Sequence, residues 1–427
     1  MLVLILFVAA LFLNIPIALS LGVASAGYGL LQFMQGGGTS SIDMVVQTFA
    51  AALDSTPLLA LPFFVLAGDI MMTGGISRRL VNACMKRMKG VPGALGISAV
   101  VACMIFAAIS GSGPATAAAI GGIMIPAMYR DGYNKGFSSS IVAMAGALGP
   151  VIPPSLSFIM YGVVAQQSIT ALFMSGVLPG VLMGLSLIFY VFYCAKKYNF
   201  GGKTEVDYSK GKGWRDSAVW SFMVPVIILG GIYSGAFTPT EAAIVATDYG
   251  LIVSLFVYRE IKIKDLWETF KPTCLTIGSI SIIACGAMAF GRLLTLEQIP
   301  VIVADFILGI SSTKWVVLLL INVFLLFVGC IMETLSAIII LTPILLPVAT
   351  ALGIDPIHFG CIMVVNLVIG MSTPPVGVNL FVALRIGNTT LGEMGKWLLC
   401  SILCCIAVLM IITYVPGISM WLPNMLL

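Results

Sequence analysis

Charge is what this chain has least of. Lys, Arg, Asp and Glu together make up 9% of its 427 residues, against roughly a quarter in ordinary globular domains, which excludes a soluble enzyme, a solenoid and a nucleic-acid binder. It has a single histidine, His358, beside Pro356 near a helix start, where the residue reads as structural. Zinc-type cysteine spacing is missing too: the ten cysteines, among them Cys103, Cys194, Cys285, Cys330, Cys361, Cys400, Cys404 and Cys405, lie in apolar segments. They read as small buried hydrophobes. The net charge of +4, from 21 Lys and Arg against 17 Asp and Glu, is a small basic excess of the kind that cytoplasmic loops carry in membrane proteins.

What remains is apolar. At 60% hydrophobic residues and a mean hydropathy of +1.11, the chain reads as an all-α, multi-pass integral membrane protein. A crossing takes about 20 residues, so this length holds at most roughly a dozen crossings or re-entrant pieces. The first apolar stretch runs from Met1 past Leu31 without a charged start, which predicts a retained span and not a cleaved leader.

The few charges are clustered, at Arg78 to Lys89, Lys196 to Arg215 and Arg259 to Lys271, and each cluster reads as cytoplasmic or interfacial. The middle one is the longest polar interruption and divides the chain. Gly75 to Lys89 and Ile261 to Phe270 are too short and too charged to span, and are expected as amphipathic helices along the membrane surface, one in each half.

The halves repeat. Sliding the sequence by 221 positions aligns Pro126 with Pro347, Gly132 with Gly353, Ile141 with Ile362, Gly149 with Gly370, and Pro153 and Pro154 with Pro374 and Pro375. Each copy holds an apolar run, a small polar break, a second apolar run and a helix interrupted by a proline pair. Repeated halves of this kind are a signature of secondary transporters.

The polar breaks are Ser110 to Thr116 and Glu333 to Ser336, and each predicts a hairpin that enters the membrane and turns back. The proline breaks are Gly149 to Ser155 and Gly370 to Pro375. Consecutive prolines remove amide donors and leave carbonyl oxygens without intrahelical partners. Non-helical backbone at membrane depth persists only where protein or a water-filled cavity satisfies it, and a sodium ion takes a shell of such oxygens. The pattern therefore predicts two ion sites, each pairing a hairpin tip with a broken helix; the alternative is that small residues such as Gly111, Gly113, Gly121 and Gly122 serve close helix packing and the prolines simple kinks. Glu333 within an apolar stretch could bind sodium, carry a proton or pair with Arg292, sodium ranking first. Arg292 and Arg385 could meet a substrate carboxylate or snorkel to the interface. Asp54 and Asp69 are expected to terminate helices. Thr238, Pro239 and Glu241 read as a helix start.

These residues resemble the large membrane subunit (M, or DctM-like) of tripartite ATP-independent periplasmic (TRAP) transporters. The resemblance runs along the whole chain and rests on LPFFVLAGDIM at Leu61 to Met71, AAISGSGPATAAAIG at Ala107 to Gly121, GPVIPPS at Gly149 to Ser155, YSGAFTPTEAA at Tyr233 to Ala243 and MSTPPVGVNLF at Met371 to Phe381. It implies a permease of the bacterial inner membrane that imports an organic acid, driven by sodium and not by ATP, with no cofactor. Its implied partners are a small four-helix (Q-type) membrane subunit and a periplasmic (P-type) binding protein. Because Met1 opens directly into the first span, the small subunit is expected as a separate chain. The sequence resembles the sialic-acid branch most, so N-acetylneuraminate is the expected substrate, with C4-dicarboxylates or other sugar acids as the alternative.

The family's elevator arrangement implies N-terminal scaffold helices over 1–73, an arm over 74–90, a first transport repeat over 91–170 (hairpin 94–129, broken helix 137–165), and scaffold helices over 171–260 with a polar loop at 196–216. A second arm over 261–271, connecting helices over 272–312, a second transport repeat over 313–390 (hairpin 315–351, broken helix 357–386) and a C-terminal helix over 391–427 follow. Sodium is expected at Ser110, Gly149, Ile152 and Pro154, and at Glu333, Thr334, Gly370 and Thr373. The substrate is expected at Ser112, Ser155 and Ser157, with Arg292 as a cationic partner. Two other readings stand beside this one: a sodium- or proton-coupled dicarboxylate carrier that needs no binding protein, and an intramembrane serine protease using Ser112, which lacks an evident general base.

Overall fold

The computed structural model describes residues 2–13, 15–34, 40–54, 56–88, 90–201, 217–310 and 313–427. Most of the polar loop expected at 196–216 therefore lies outside the described residues; its beginning, through Tyr198, is the last turn of a helix. All regular structure among the described residues is helical.

In chain order the first half comprises α1 (Leu2–Phe12), α2 (Ile17–Met34), α3 (Ser40–Leu53), a 3-10 turn (Thr56–Leu59), α4 (Ala60–Thr73), α5 (Ile76–Arg87), α6 (Ala94–Ser110), α7 (Gly113–Arg130), α8 (Lys135–Gly146), α9 (Leu156–Ala165) and α10 (Ile169–Tyr198). The second half comprises α11 (Val219–Tyr233), α12 (Pro239–Ile252), α13 (Leu266–Leu296), α14 (Ile299–Ile310), α15 (Lys314–Ile331), α16 (Thr334–Ala351), α17 (Pro356–Gly370), α18 (Val378–Gly387), α19 (Leu391–Tyr414) and α20 (Gly417–Leu426). Among the described residues seven helices are long and apolar enough to cross a membrane, or eight if the bent pair α4–α5 counts as one span.

The helix ends follow local chemistry. Thr238 and Glu241 form a reciprocal capping box at α12, and Thr390 and Glu393 do the same at α19, each satisfying amides that a helix start leaves free. Asn134 caps α8 and Asp355 caps α17. Both broken helices are interrupted where the prolines remove donors, between α8 and α9 and between α17 and α18; Pro153–Pro154 and Pro374–Pro375 are cis bonds.

The offset of 221 seen at the prolines extends through the element order. It sets α1 opposite α11, α2 opposite α12, α3 with α4 opposite α13, and then α5 to α10 opposite α14 to α19 in turn. The contacts are reciprocal as well. Helix α9 packs on α16 and α18 on α7, while α10 packs on α17 and α19 on α8; this is the pattern of two copies related by a pseudo-two-fold axis.

Three expectations do not hold. The second arm, expected over 261–271, is not a separate helix: a 3-10 turn at Ile263–Asp265 leads directly into the first turns of α13. The element opposite the first arm, α5, is instead α14, which packs on hairpin arm α16. Its sequence, IPVIVADFILGI, carries little charge, and charge was the signal that drew the expectation to 261–271. The C-terminal segment 391–427 is also two helices, α19 and α20, parted at Val415 and Pro416. Asp69 does not end a helix either; it lies within α4 and accepts a hydrogen bond from Thr273 of α13.

Helices α1 to α4 and α11 to α13 pack among themselves, and α6 to α10 pack with α15 to α19, so that α10, expected within the scaffold helices over 171–260, packs instead with the hairpins and broken helices. The groups meet where α4 touches α6, α11 touches α6, and α13 and α14 touch α16. The first arm turns by 66° from α4, and Arg79 of α5 reaches Glu260 at 2.7 Å while its guanidinium lies 3.7 Å from the centre of the Tyr258 ring.

Candidate functional site

The first hairpin turns at Ser110–Gly111–Ser112–Gly113, because α6 ends on Gly111 in the left-handed region, φ +59°, and Ser112 is extended ahead of Pro114. A side chain at Gly111 would be strained and would also sit 2.8 Å from the Pro154 carbonyl, so only glycine lets the tip lie against the break. The Leu156 amide donates to the Gly111 carbonyl at 3.4 Å. Around this contact, Ser110 Oγ lies 2.8 Å from Thr116 Oγ1, and Thr116 Oγ1 donates to the Ser112 carbonyl at 2.8 Å. Gly149 lies against the same group: a Cβ there would be 2.5 Å from the Ser112 carbonyl oxygen and 2.9 Å from Thr116 Oγ1.

The carbonyls of Gly149 and Pro150 would ordinarily accept from residues 153 and 154, both prolines. Ser155 Oγ donates to the Pro150 carbonyl, and among the described residues nothing donates to the Gly149 carbonyl. Ser110, Ser112, Thr116, Gly149 and Pro154 thus form an oxygen-rich contact buried between tip and break. Ser110, Thr116, Gly149 and Pro154 are buried and Ser112 is half-buried. Ile152 presses its side chain on Gly180 of α10, so only its backbone oxygen could serve an ion.

The second tip is made differently. Glu333 is the N-cap of α16, its carboxylate accepting from the Ser336 amide at 3.1 Å. Thr334 is buried and its hydroxyl meets Met371 Sδ at 3.4 Å. Gly370 lies against Gly329 of α15, a Cβ on it coming 2.6 Å from the Gly329 Cα. The freed carbonyls have partners here: Thr373 N donates to Gly370 O at 2.8 Å and Asn379 N to Met371 O at 3.2 Å. Thr373 Oγ1 itself donates to Ile369 O at 2.8 Å, which leaves its lone pairs available.

The two halves join at these breaks. Ser372 Oγ donates to the Ala143 carbonyl of α8 at 3.1 Å, and Asn379 Nδ2 donates to Ser372 Oγ at 3.2 Å. Asn379 also borders Gly113 of the first tip, and its buried Oδ1 has no hydrogen-bond partner. The N-termini of α7, α9, α16 and α18 lie around this junction and carry the partial positive charge that favours anions.

Of the serines expected to meet substrate, Ser112 makes no side-chain hydrogen bond in capping α7, and its hydroxyl is uncommitted. Ser155 is committed: its Oγ accepts from the Phe158 amide at 3.2 Å and donates to Pro150. Ser157 is buried in the first turn of α9. The structure does not bring Arg292 to the tips; it is exposed on α13, and its neighbour Gly291 touches Pro343, which stands about 14 Å along α16 from Thr334 at 1.5 Å per residue. Arg385 is exposed in the last turn of α18. Thr116 and Asn379 belong to the junction but are not among the expected site residues: Thr116 only closes the first polar break, and Asn379 stands inside an apolar helical run past the second proline break. His358 pairs with Ser419 at 2.6 Å, away from Ser112, so Ser112 has no imidazole base.

The family described as "Tripartite ATP-independent periplasmic transporter, DctM component" matches residues 4–418. An isethionate TRAP transporter permease protein of Oleidesulfovibrio alaskensis is 47% identical over 97% of this chain, which spans 65% of that protein's length. A C4-dicarboxylate TRAP transporter large permease of Pseudomonas aeruginosa is 45% identical, covering 86% of each chain. A sialic acid TRAP transporter large permease of Vibrio cholerae is 34% identical over 98% of this chain and 96% of its own. Among solved structures, the Alcanivorax borkumensis YdaH transporter matches 91% of this chain and 90% of its own with a TM-score of 0.68 at 14% identity, a likeness of fold alone.

Proposed function

The chain belongs to the DctM component family of tripartite ATP-independent periplasmic transporters, as a multi-pass permease of the bacterial inner membrane and not an enzyme, and from that premise we propose that it carries an organic anion into the cell on a sodium gradient. A periplasmic binding protein delivers the anion, and a small membrane subunit completes the transporter. The observation that carries the reading is the facing of each hairpin tip by a broken helix, with Gly149 packed against Ser112 and Thr116 and nothing among the described residues donating to its carbonyl. Half-helix carbonyl ends suit a cation, and the neighbouring half-helix N-termini suit an anion. One sodium ion sits among Ser110, Gly149, Ile152 and Pro154, joined by Thr116, and another among Glu333, Thr334, Gly370 and Thr373. The anion is bound between them at Ser112. Ser155 shapes the break, and Ser157 lines the site through its backbone.

The α6–α10 and α15–α19 group is the moving body, and α1–α4 with α11–α13 is the scaffold against which it slides as an elevator. Small sulfonates and C4-dicarboxylates are the substrates to try first, since relatives named for them are 47% and 45% identical. Sialic acid is the second reading, supported by relatives at 34% and 33%. Uptake by Ser110→Ala and Ser112→Ala variants, titrated with sodium and with substrate, tests the site. Ser110→Ala raises the sodium concentration for half-maximal uptake, and Ser112→Ala raises the KM for the anion without moving the sodium midpoint. A Ser112→Ala protein with unchanged KM contradicts the substrate assignment.

A further inference from the structure

Arm helix α5, hairpin arm α6 and α11 enclose a half-open cleft of about 650 Å³, walled by Met88, Val101, Ile105 and Phe222 and bordered by Lys86 and Arg87. Its walls are almost wholly apolar. Lys86 and Arg87 stand in the last turn of α5, exposed, with no carboxylate partner among the described residues. They more than offset the partial negative charge of that helix end. In a chain that crosses a bilayer, an apolar cleft open to its surroundings fills with hydrocarbon. A neutral headgroup would leave both cations without a counter-charge, whereas a phosphodiester with net negative charge answers them; basic pockets between membrane helices take anionic headgroups for this reason.

We propose that this cleft is a binding site for an anionic phospholipid, its acyl chains against Val101, Ile105 and Phe222 and its headgroup on Lys86 and Arg87. The lipid lies in the cleft bordered by α5, α6 and α11, beside the direct contacts that α11 makes with α5 and α6.

The test uses the full chain in complex with its small membrane partner, purified in detergent and presented with phosphatidylglycerol or phosphatidylcholine of identical chains, with retained lipid read by native mass spectrometry. The wild-type complex retains phosphatidylglycerol preferentially. Lys86→Gln with Arg87→Gln lowers that preference about 25-fold, at about fivefold per basic residue near an anionic surface, and leaves phosphatidylcholine retention unchanged. Ile105→Trp, which pushes an indole into the cleft, lowers retention of both lipids while the complex still elutes as a single species. Equal retention of the two lipids by the wild type, or unchanged retention in both variants, overturns the proposal. Lipid held by the isolated chain but excluded from the complex overturns it as well, and gives the cleft to the small subunit.

Discussion

Ser112 and Ser155 carry the same hydroxyl into different surroundings, and their substitutions should separate. Ser155 caps α9 and satisfies the Pro150 carbonyl, so Ser155→Ala removes a cap and orphans a buried acceptor, a loss of about 2–4 kcal/mol visible as a lower thermal midpoint. Ser112→Ala breaks no side-chain hydrogen bond; its midpoint stays at the wild-type value and only substrate handling changes. Glycine positions give a second pair. Gly149→Ala drives a methyl against the Ser112 carbonyl at 2.5 Å, costing about 1–3 kcal/mol of overpacking and forcing tip from break, so sodium-dependent uptake falls. Gly122→Ala, on the same hairpin with nothing within 4 Å, leaves uptake intact and raises the midpoint slightly, by about 0.5–1 kcal/mol of helix propensity. A Gly149→Ala protein with normal sodium dependence would mean the tip–break contact is packing alone.

At the scale of elements, the elbow between α4 and α5 is held by Glu260. Arg79 is 7% exposed and Glu260 24%, whereas Arg78, which meets the same carboxylate, is 58% exposed. Glu260→Gln therefore removes the carboxylate charge facing a nearly buried guanidinium, which keeps the Gly75 carbonyl and the Tyr258 ring, and costs about 1–3 kcal/mol after allowing for partial exposure. Arg78→Gln costs under about 1 kcal/mol. Thermal midpoints of the purified variants check the order, and equal shifts would contradict it. The breaks and hairpins were legible in the sequence because proline pairs and glycine–serine runs interrupt long apolar stretches, and few sequences do that without a structural reason. The second arm was not legible. Charge marks α5, but α14 has only Asp305 among apolar residues, and its place emerges from the offset and from its packing on α16. Asn379 stayed hidden for a related reason: a lone polar residue one turn past a break looks like part of the helix until the partner half comes against it. Thr116 lay within the first polar break, and only its place against Gly149 singles it out there.

At the scale of the whole molecule, transport by sliding requires the two helix groups to part and re-form their contacts. Gly291 of α13 and Pro343 of α16 lie on opposite sides of that boundary, outside the tips and breaks, and a Cβ on Gly291 would be 3.6 Å from the Pro343 Cβ. That spacing admits a disulfide. Gly291→Cys with Pro343→Cys should form one on oxidation, stop uptake, and recover on reduction, while each single variant ignores the oxidant. Continued uptake with the cross-link formed would show that α16 does not move past α13.

The most direct measurement of the central claim is uptake into proteoliposomes holding this chain and its small membrane partner, with isethionate, a C4-dicarboxylate and sialic acid each presented on its binding protein. An inward sodium gradient is imposed or omitted. The account predicts accumulation of one of these anions only when sodium gradient and binding protein are both present, and its loss in Gly149→Ala. Accumulation that proceeds equally without sodium, or from free substrate without the binding protein, would contradict it.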